Sequence, residues 1–234
     1  MKRLFFSLVF LFIVHSAMAQ WNQVYELLEQ PTPFSDEYFS KLQFLSADNA
    51  IFMTRWNGIH AAGYSIKSTN NGWNTVQKVF EEGDDYDERY CRDFHFINED
   101  IGYKLSGSGL LAGAYKTIDG GRHWTTVVNN ASLYLSLKLF YLKEDVGYYL
   151  VEKDYLSPNF EVIVSNSGHC TTYPVSDSYK TPSEFIFTND STGYILCKDA
   201  DQNYLCLQST DSAKTWNVVL NSAADKMQGM HFPS

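Results

Sequence analysis

Short apolar segments rich in tyrosine and phenylalanine alternate with polar turns along most of the chain. Three segments share one pattern: an apolar run with aromatic residues, a polar turn, and then a glycine followed by a tyrosine. They span residues 93–103, 139–148 and 184–194, and a more divergent copy spans residues 42–52. Apolar runs of this length, bounded by turn residues and enriched in aromatics, predict β-strands rather than helices.

The pattern recurs at a regular interval. Phe44, Phe96, Tyr141 and Phe187 occupy its corresponding position and are 52, 45 and 46 residues apart. A period of this length is typical of propeller blades, each built of four short antiparallel strands that must stack on their neighbours. We therefore predict an all-β protein, a β-propeller of about four four-stranded antiparallel blades. The repeats are placed at about residues 42–80, 94–128, 139–175 and 185–220.

Each repeat also contains an eight-residue motif, which we call the octet. The clearest copy is residues 117–124, marked by Thr117, Asp119, Gly121 and Trp124. An aspartate here can accept hydrogen bonds from the backbone of its own turn, the glycine permits positive φ, and the tryptophan buries a large ring. A second copy carries Ser209, Asp211 and Trp216, a looser one is aligned on Ser68, Asn70 and Gly72, and a degenerate one spans residues 165–172.

The octet pattern S/T-x-D-x-G-x-T-W resembles the Asp-box, or BNR, repeat. That repeat occurs in sialidases, the sortilin propeller, xyloglucanases and propeller-type photosystem II assembly factors. The resemblance covers most of the chain after residue 19, and it implies a propeller in which the octets are structural turns. It does not imply one function, because these families act differently.

The two ends of the chain resemble parts of a further blade. Residues 21–25 resemble a fourth strand, and residues 228–234 contain a Met-His-Phe sequence that resembles a first strand. Two arrangements are open: the ends share a fifth blade that closes the ring, or the ring is incomplete. We favour the incomplete, open arc, because most Asp-box propellers have six or more blades.

Residues 1–19 have the features of a secretory signal peptide. Lys2 and Arg3 precede an apolar run over residues 4–14, and Ala17 and Ala19 match the small-residue cleavage rule. The run is shorter than the roughly 20 residues that a membrane-spanning helix needs. We therefore expect residues 20–234 to form one propeller domain, exported to the bacterial periplasm or outside the cell and not inserted in a membrane.

The net charge of the chain limits the classes of partner that we expect it to bind. Removal of residues 1–19 would leave 16 basic and 27 acidic residues, a net charge of −11. Nucleic-acid binding needs a basic patch, so we expect no nucleic-acid partner. The sequence has no C-x-x-C pair or other metal-ligand spacing, and we expect no metal or cofactor.

The four cysteines could form disulfides in an exported protein. We expect Cys197 and Cys206 to face each other across a hairpin centred on residues 201–202, with Cys91 and Cys170 as a weaker pair. The alternative is four buried thiols that act as small apolar residues.

The candidate site lies on the face formed by the connections between second and third strands and between blades. These connections vary in length and composition, as binding loops on a fixed scaffold do. An aromatic residue beside an arginine, as at residues 55–56, suits contact with a protein or a glycan. The candidate binding residues are Arg55, Trp56, Asn57, His60, Asp154, Tyr155, Asp199 and Asp201.

We expect no catalytic residues, and a non-enzymatic module that binds a protein or a glycan. Sialidases, which the octets resemble, need three arginines that converge on a sugar carboxylate. After residue 19 the chain has only four arginines; Arg122 lies within an octet, and Arg89 and Arg92 are neighbours on one linker. The alternative is a relative of sialidase- or xyloglucanase-like glycoside hydrolases, expected to be inactive.

Overall fold

The structure is a computed structural model that describes residues 35–58, 62–72, 74–84, 90–108, 111–128, 136–152, 159–176 and 178–222. Every structural statement below concerns these residues. They contain strands and turns and no helix, and so no helix that could cross a membrane. The predicted signal peptide and the predicted strands at residues 21–25 and 228–234 lie outside the described residues, and the incomplete ring stays a prediction.

Sixteen strands form four separate sheets, each of four consecutive antiparallel strands. Blade 1 contains β1 (Ser35–Phe44), β2 (Ala50–Gly58), β3 (Ala62–Thr69) and β4 (Gln77–Asp84). Blade 2 contains β5 (Tyr90–Phe96), β6 (Gly102–Ser108), β7 (Leu111–Thr117) and β8 (Thr125–Val128). Blade 3 contains β9 (Ser136–Lys143), β10 (Val146–Glu152), β11 (Phe160–Asn166) and β12 (His169–Pro174). Blade 4 contains β13 (Tyr179–Phe187), β14 (Gly193–Asp199), β15 (Tyr204–Ser209) and β16 (Asn217–Ser222).

The four sheets are the blades of a four-bladed β-propeller, as the repeat predicted. Apolar clusters lie between successive blades, because each blade is apolar on both faces. Ile51 and Ile66 of blade 1 pack with Phe94 of blade 2, and corresponding clusters join blade 2 to blade 3 and blade 3 to blade 4. The core is thus three interfaces between sheets, and each blade depends on its neighbour for burial.

The Gly-Tyr pattern has a steric cause. Gly102 lies directly across from Phe96, and a Cβ on this glycine would stand 2.5 Å from the Phe96 ring. The same close approach occurs between Gly193 and Phe187 and between Gly147 and Tyr141. A glycine at the start of the second strand therefore lets the aromatic ring of the first strand lie flat over the backbone.

In blade 2, the octet is a hydrogen-bonded turn between β7 and β8. One Asp119 carboxylate oxygen accepts a hydrogen bond from the His123 backbone N–H at 2.9 Å and another from the Thr117 hydroxyl at 2.8 Å. The Thr117 hydroxyl in turn accepts the Gly121 N–H at 2.9 Å. Blade 4 repeats these bonds among Ser209, Asp211, Ala213 and Thr215.

The hydrogen bonds of Asp211 hold the pKa of its carboxyl at about 2, below the usual value of 3.8, with Thr215 as the main donor. Hydrogen bonds from His123 likewise hold the pKa of Asp119 well below its usual range. Because each charged carboxylate is held by donors of its own turn, these two aspartates act as turn staples.

The alignment of the first octet is wrong by one residue. In blade 1 the corresponding bonds run from Thr69 to Asn71 and from the Thr75 N–H to Asn71, at 3.2 and 3.0 Å. Ser68 and Asn70 therefore do not take the roles predicted for them. Asparagine is abundant in this stretch, so the spacing alone permitted two alignments.

The fourth octet is absent as a turn of this kind. β11 and β12 are joined by a two-residue hairpin in which Ser167 and Gly168 both have positive φ, of 49° and 85°. One tie is nevertheless common to all four blades, a 2.9 Å hydrogen bond from a backbone N–H of this turn to a carbonyl of the turn between the first two strands. Its donors are Gly72, Gly120, Ser167 and Ser212, and its acceptors are Asp48, Asp100, Asp145 and Ser191.

The predicted disulfide between Cys197 and Cys206 is also wrong. The β14–β15 register places Cys197 opposite Leu205 and Cys206 opposite Leu196, one residue away from the expected pairing. The two side chains therefore point to opposite faces of the sheet. All four cysteines carry thiols, and only Cys91 and Cys197 are buried.

Exchanging one turn residue between two octets tests the cost of their backbone conformation. Gly120 and Ser212 occupy the same position, with φ of 72° and 63°. We expect Ser212→Gly to raise the free energy of unfolding by about 0.5–1 kcal/mol, because a serine is strained there. Gly120→Ser should lower it by about 1–2 kcal/mol, since its Cβ would also stand 3.1 Å from the Glu99 carbonyl oxygen. Urea unfolding measures both, and two changes of the same sign would contradict this account.

Candidate functional site

The two ends of the blades differ in regularity. On the turn face, which carries the turns between first and second strands, the aromatic residue and its cross-strand partner are six positions apart in every blade. The pairs are Phe44 and Ala50, Phe96 and Gly102, Tyr141 and Gly147, and Phe187 and Gly193. On the opposite loop face, the connections between second and third strands contain three, two, seven and four residues (59–61, 109–110, 153–159 and 200–203). The turns between third and fourth strands, on the turn face, have seven residues in blades 1, 2 and 4 and two in blade 3. The constant feature is therefore the spacing between first and second strands, and the connections between second and third strands on the loop face differ in every blade.

Arg55 lies near the loop end of β2, but its guanidinium group is used within the scaffold. It donates hydrogen bonds to the Cys91 carbonyl oxygen at 2.6 Å and to the Arg92 carbonyl oxygen at 3.3 Å, and so joins blade 1 to blade 2. Trp56 and Asn57 follow in the same strand. Three other candidates, His60, Asp154 and Tyr155, lie outside the described residues.

Asp199 and Asp201 lie in the hairpin between β14 and β15. The Asp199 carboxylate accepts hydrogen bonds from the backbone N–H and the side-chain amide of Asn203, both at 2.9 Å. These bonds lower the pKa of Asp199 and fix the turn. Asp201 is exposed at the tip of the same hairpin. Of the two, Asp201 is the more exposed residue.

A second group of polar residues, which the sequence analysis did not single out, lies on the first strands of the blades. Each first strand has a register break, and the next residue in register is charged: Lys41, Asp93, Lys138 and Glu184. The sign of the charge alternates from blade to blade. Each of these charged residues lies three positions before the aromatic residue of its repeat, which is Phe44, Phe96, Tyr141 or Phe187. The sequence period could therefore have identified them.

Asp93 links three blades through this group. Its side chain is 3% exposed; one oxygen pairs with the Lys41 ammonium at 2.5 Å and the other accepts the Leu139 N–H at 2.9 Å. Lys41 also donates to the Phe94 carbonyl oxygen at 2.6 Å. A buried carboxylate with an ion pair and a backbone donor is a structural group, because its charge is already neutralised by the scaffold.

Two residues farther along the first strand, polar side chains bind the backbone of the next blade. The Gln43 amide donates to the Phe96 carbonyl oxygen at 2.7 Å and accepts the Phe96 N–H at 2.8 Å. His95 occupies the same position in β5 and hydrogen-bonds the Tyr141 backbone, and its ring centre lies 4.3 Å from that of Phe140 with the two planes tilted by 41°. Burial and, to a smaller extent, the charge of Lys41 lower the pKa of His95 to about 4; Asp93 and the Tyr141 bond oppose this.

Lys104 is buried between blades 1 and 2, at 3% exposure. Its ammonium donates to the Tyr64 hydroxyl at 2.6 Å and lies 4.0 Å from the centre of the Phe80 ring and 5.0 Å from the Trp124 ring. Aromatic faces stabilise a desolvated cation. Nearby, burial raises the pKa of the Cys91 thiol to about 12, which makes it a poor nucleophile.

Protonation of His95 should make the stability depend on pH. Its pKa is 6.5 in an unfolded chain and about 4 in the fold, so the unfolded state binds more protons between these values. The free energy of unfolding should fall by roughly 3 kcal/mol from this group as the pH drops from 6.5 to 4. We expect His95→Gln, which copies Gln43, to remove that part of the decline in urea unfolding measured from pH 4 to 7. Parallel curves for the two proteins would contradict this assignment.

Comparison with known proteins adds little. No family model matches the chain, and no curated protein matches it. The solved structures that resemble it include that of an ancestral GH74 enzyme, at 11% identity with a TM-score of 0.44. The match covers 81% of this chain and 32% of that one, so this chain spans less than a third of its length. The four sheets themselves show the architecture, an all-β, four-bladed propeller.

Proposed function

We propose that the protein is an exported, non-enzymatic Asp-box propeller that binds a protein partner through its loop face. The observation that carries this proposal is the contrast between two sets of connections. The spacing between first and second strands is the same in all four blades, whereas the second-to-third-strand connections on the loop face have four different lengths. Variable connections on a rigid scaffold are where binding surfaces are typically built.

The roles of the interior charges support a scaffold that holds a binding surface. Arg55 is bound to the backbone of blade 2, Asp93 is paired with Lys41, and Lys104 is enclosed by aromatic rings. Asp119 and Asp211 hold their own turns. Within the described residues, these groups join blades or fix turns, which agrees with binding at the surface rather than with chemistry in the interior.

The Asp-box assignment belongs to this proposal as well. Its support is the pair of turns in blades 2 and 4, which share the same Thr or Ser, Asp and Trp positions and the same hydrogen bonds. Export rests on the features of residues 1–19. It predicts that the protein isolated from the producing cell begins at Gln20, which intact mass spectrometry would show; an intact Met1 would contradict export by this signal.

Partner binding can be tested with a matched pair of charge reversals. Asp201 is exposed on the loop face, and Asp100 is exposed on the turn face. The tagged protein is used to isolate partners from exported proteins of its source, and the affinity of the purified partner is then measured for each variant. We expect Asp201→Lys to weaken binding about tenfold or more and Asp100→Lys to leave it within about twofold, because an interface charge acts only where the partner contacts it. If only Asp100→Lys weakened partner binding, the binding site would lie on the turn face, and the proposal would be wrong.

The competing enzyme hypothesis is tested in parallel. If the chain had glycoside hydrolase activity, two carboxyl groups would lie roughly 5 to 9.5 Å apart across a groove, and the protein would turn over substrate. We expect no release of product from a panel of model glycosides, measured beside binding on a glycan array. Turnover that survives repurification would overturn the proposal, and glycan binding without turnover would move it from a protein partner to a glycan.

A further inference from the structure

Each of the first three blades buries one sheet face beneath the next blade through the same four positions. Two of these lie on the second strand, one on the third and one on the fourth, and they are neighbours in the sheet register. In chain order the sets are Ile51, Met53, Ile66 and Phe80 in blade 1; Tyr103, Leu105, Ala114 and Val128 in blade 2; and Tyr148, Leu150, Val162 and Tyr173 in blade 3.

The corresponding residues of blade 4 are Tyr194, Leu196, Cys206 and Leu220, and we call them the outer face of blade 4. Leu220 is 53% exposed, whereas its counterpart Val128 in blade 2 is 8% exposed. Tyr194 and Cys206 are half-buried, and Leu196 is buried at 2% exposure. The side chains are therefore those of a face that a further blade would cover.

The tyrosine of this set is covered in the same way in blades 2 and 3. Tyr103 stacks on Tyr141 of the next blade with ring centres 3.5 Å apart and planes at 5°. Tyr148 stacks on Phe187 with ring centres 3.6 Å apart and planes at 14°. Each hydroxyl also donates to a carbonyl oxygen of the next blade, at Glu144 and Asp190. The partner ring is in both cases the repeat aromatic of the next first strand.

The chain contains a further copy of that aromatic. Phe232 is 45 residues after Phe187, and the two preceding intervals are 45 and 46 residues. Residues 230–232 read Met-His-Phe, which resembles the Phe-His-Phe of residues 94–96. This segment carries no Lys, Arg, Asp or Glu, so its burial against an apolar face requires no desolvation of a full charge.

We propose that residues 230–232 cover the outer face of blade 4 as the first strand of a further blade, with the Phe232 ring stacked on Tyr194. The reasons are the repeated stack, the regular interval and the apolar character of the face. The proposal is independent of the proposed function, because it concerns how blade 4 is covered and not what the loop face binds.

The thiol of Cys206 reports directly on this contact. It lies on the outer face, while Cys91 and Cys197 are buried elsewhere at 0% and 1% exposure. In the full exported protein with Cys170→Ser, reaction with a disulfide reagent such as DTNB should therefore report Cys206. We expect Phe232→Asp to raise its labelling rate by about tenfold or more, because an aspartate cannot remain against the apolar face.

Two control variants accompany that substitution. Ser234→Asp adds the same charge to the same segment outside the three-residue pattern, and the rate should stay within about twofold of the parent. Phe232→Tyr keeps an aromatic ring, as Tyr141 does at the corresponding position, and should keep the protection. Unreactive Cys91 and Cys197 show that the fold is intact.

Three results would overturn the proposal. The first is an unchanged Cys206 rate in a folded Phe232→Asp variant. The second is protection that falls on dilution together with a dimer in light scattering, which would assign the covering strand to a second copy. If Phe232→Asp unfolds the protein, Phe232→Leu is used in its place. Removing the aromatic stack should then raise the Cys206 labelling rate about fivefold. The third result that would overturn the proposal is no increase in that rate.

Discussion

Replacing Asp93 with alanine is expected to lower the free energy of unfolding by about 3–5 kcal/mol. The substitution leaves the Lys41 ammonium without its carboxylate and the Leu139 N–H without its acceptor, at a place where the carboxylate side chain is only 3% exposed. Three blades lose a common contact at once. Thermal unfolding should show a midpoint lower by roughly 6–20 °C for a domain of this size.

Two further variants distinguish this cost from a general loss of charge. Asp190→Ala removes an ion pair with Lys143 between blades 3 and 4 that is 3.0 Å long but has both side chains more than half exposed. We expect it to change the free energy of unfolding by less than about 1 kcal/mol. Lys41→Met added to Asp93→Ala should recover part of the loss, because no charge is then left without its partner. Equal effects of Asp93→Ala and Asp190→Ala would refute the structural role of Asp93.

The second large effect is expected from adding one methyl group at Gly147. A Cβ there would stand 2.4 Å from the Tyr141 ring, which is stacked on Tyr103 and hydrogen-bonded to the Tyr149 hydroxyl. Either the ring leaves its stack or the backbone of β10 moves. We expect Gly147→Ala to lower the free energy of unfolding by about 3 kcal/mol, measured by urea unfolding.

Blade 1 supplies the control for this prediction. Ala50 occupies the position of Gly147, and the corresponding ring, Phe44, is 53% exposed. Ala50→Gly should therefore cost only about 1 kcal/mol, the usual difference in chain entropy. In the double variant Tyr141→Ala with Gly147→Ala, the glycine substitution should add almost nothing to the loss caused by Tyr141→Ala. Full additivity would show that the ring is not the obstacle.

The octets show how far spacing can be interpreted as structure. Asp119 and Asp211 were placed in turns between the third and fourth strands, and their hydrogen bonds are made there. In blade 1 the same reasoning selected Asn70 where Asn71 makes the bonds. An asparagine at either position satisfies a loose motif, and only the register of β3 with β4 distinguishes them.

The predicted cysteine pair failed for a related reason. The β14–β15 hairpin is centred half a residue away from the predicted centre, so Cys197 lies opposite Leu205. The Cys197 and Cys206 side chains therefore point to opposite faces of the sheet. The candidate site was affected in another way. Arg55 was chosen for its residue type and its place near a loop, but its guanidinium reaches the backbone of the next blade. The sequence alone does not show that the Arg55 guanidinium lies within hydrogen-bond distance of that backbone.

The sequence by itself determined the strand class, the four-fold repeat and the turns of blades 2 and 4, because these depend on local chemistry and on a period that residues carry in their order. The tertiary structure alone decided the inter-blade polar contacts of Asp93, His95 and Lys104 and the exact register of each hairpin. The polar contacts depend on which residue of one blade meets which residue of the next, and their hydrogen-bond partners are about 40 to 50 positions apart, so packing rather than neighbouring residues sets them. The hairpin registers depend on which side of each strand packs into the core.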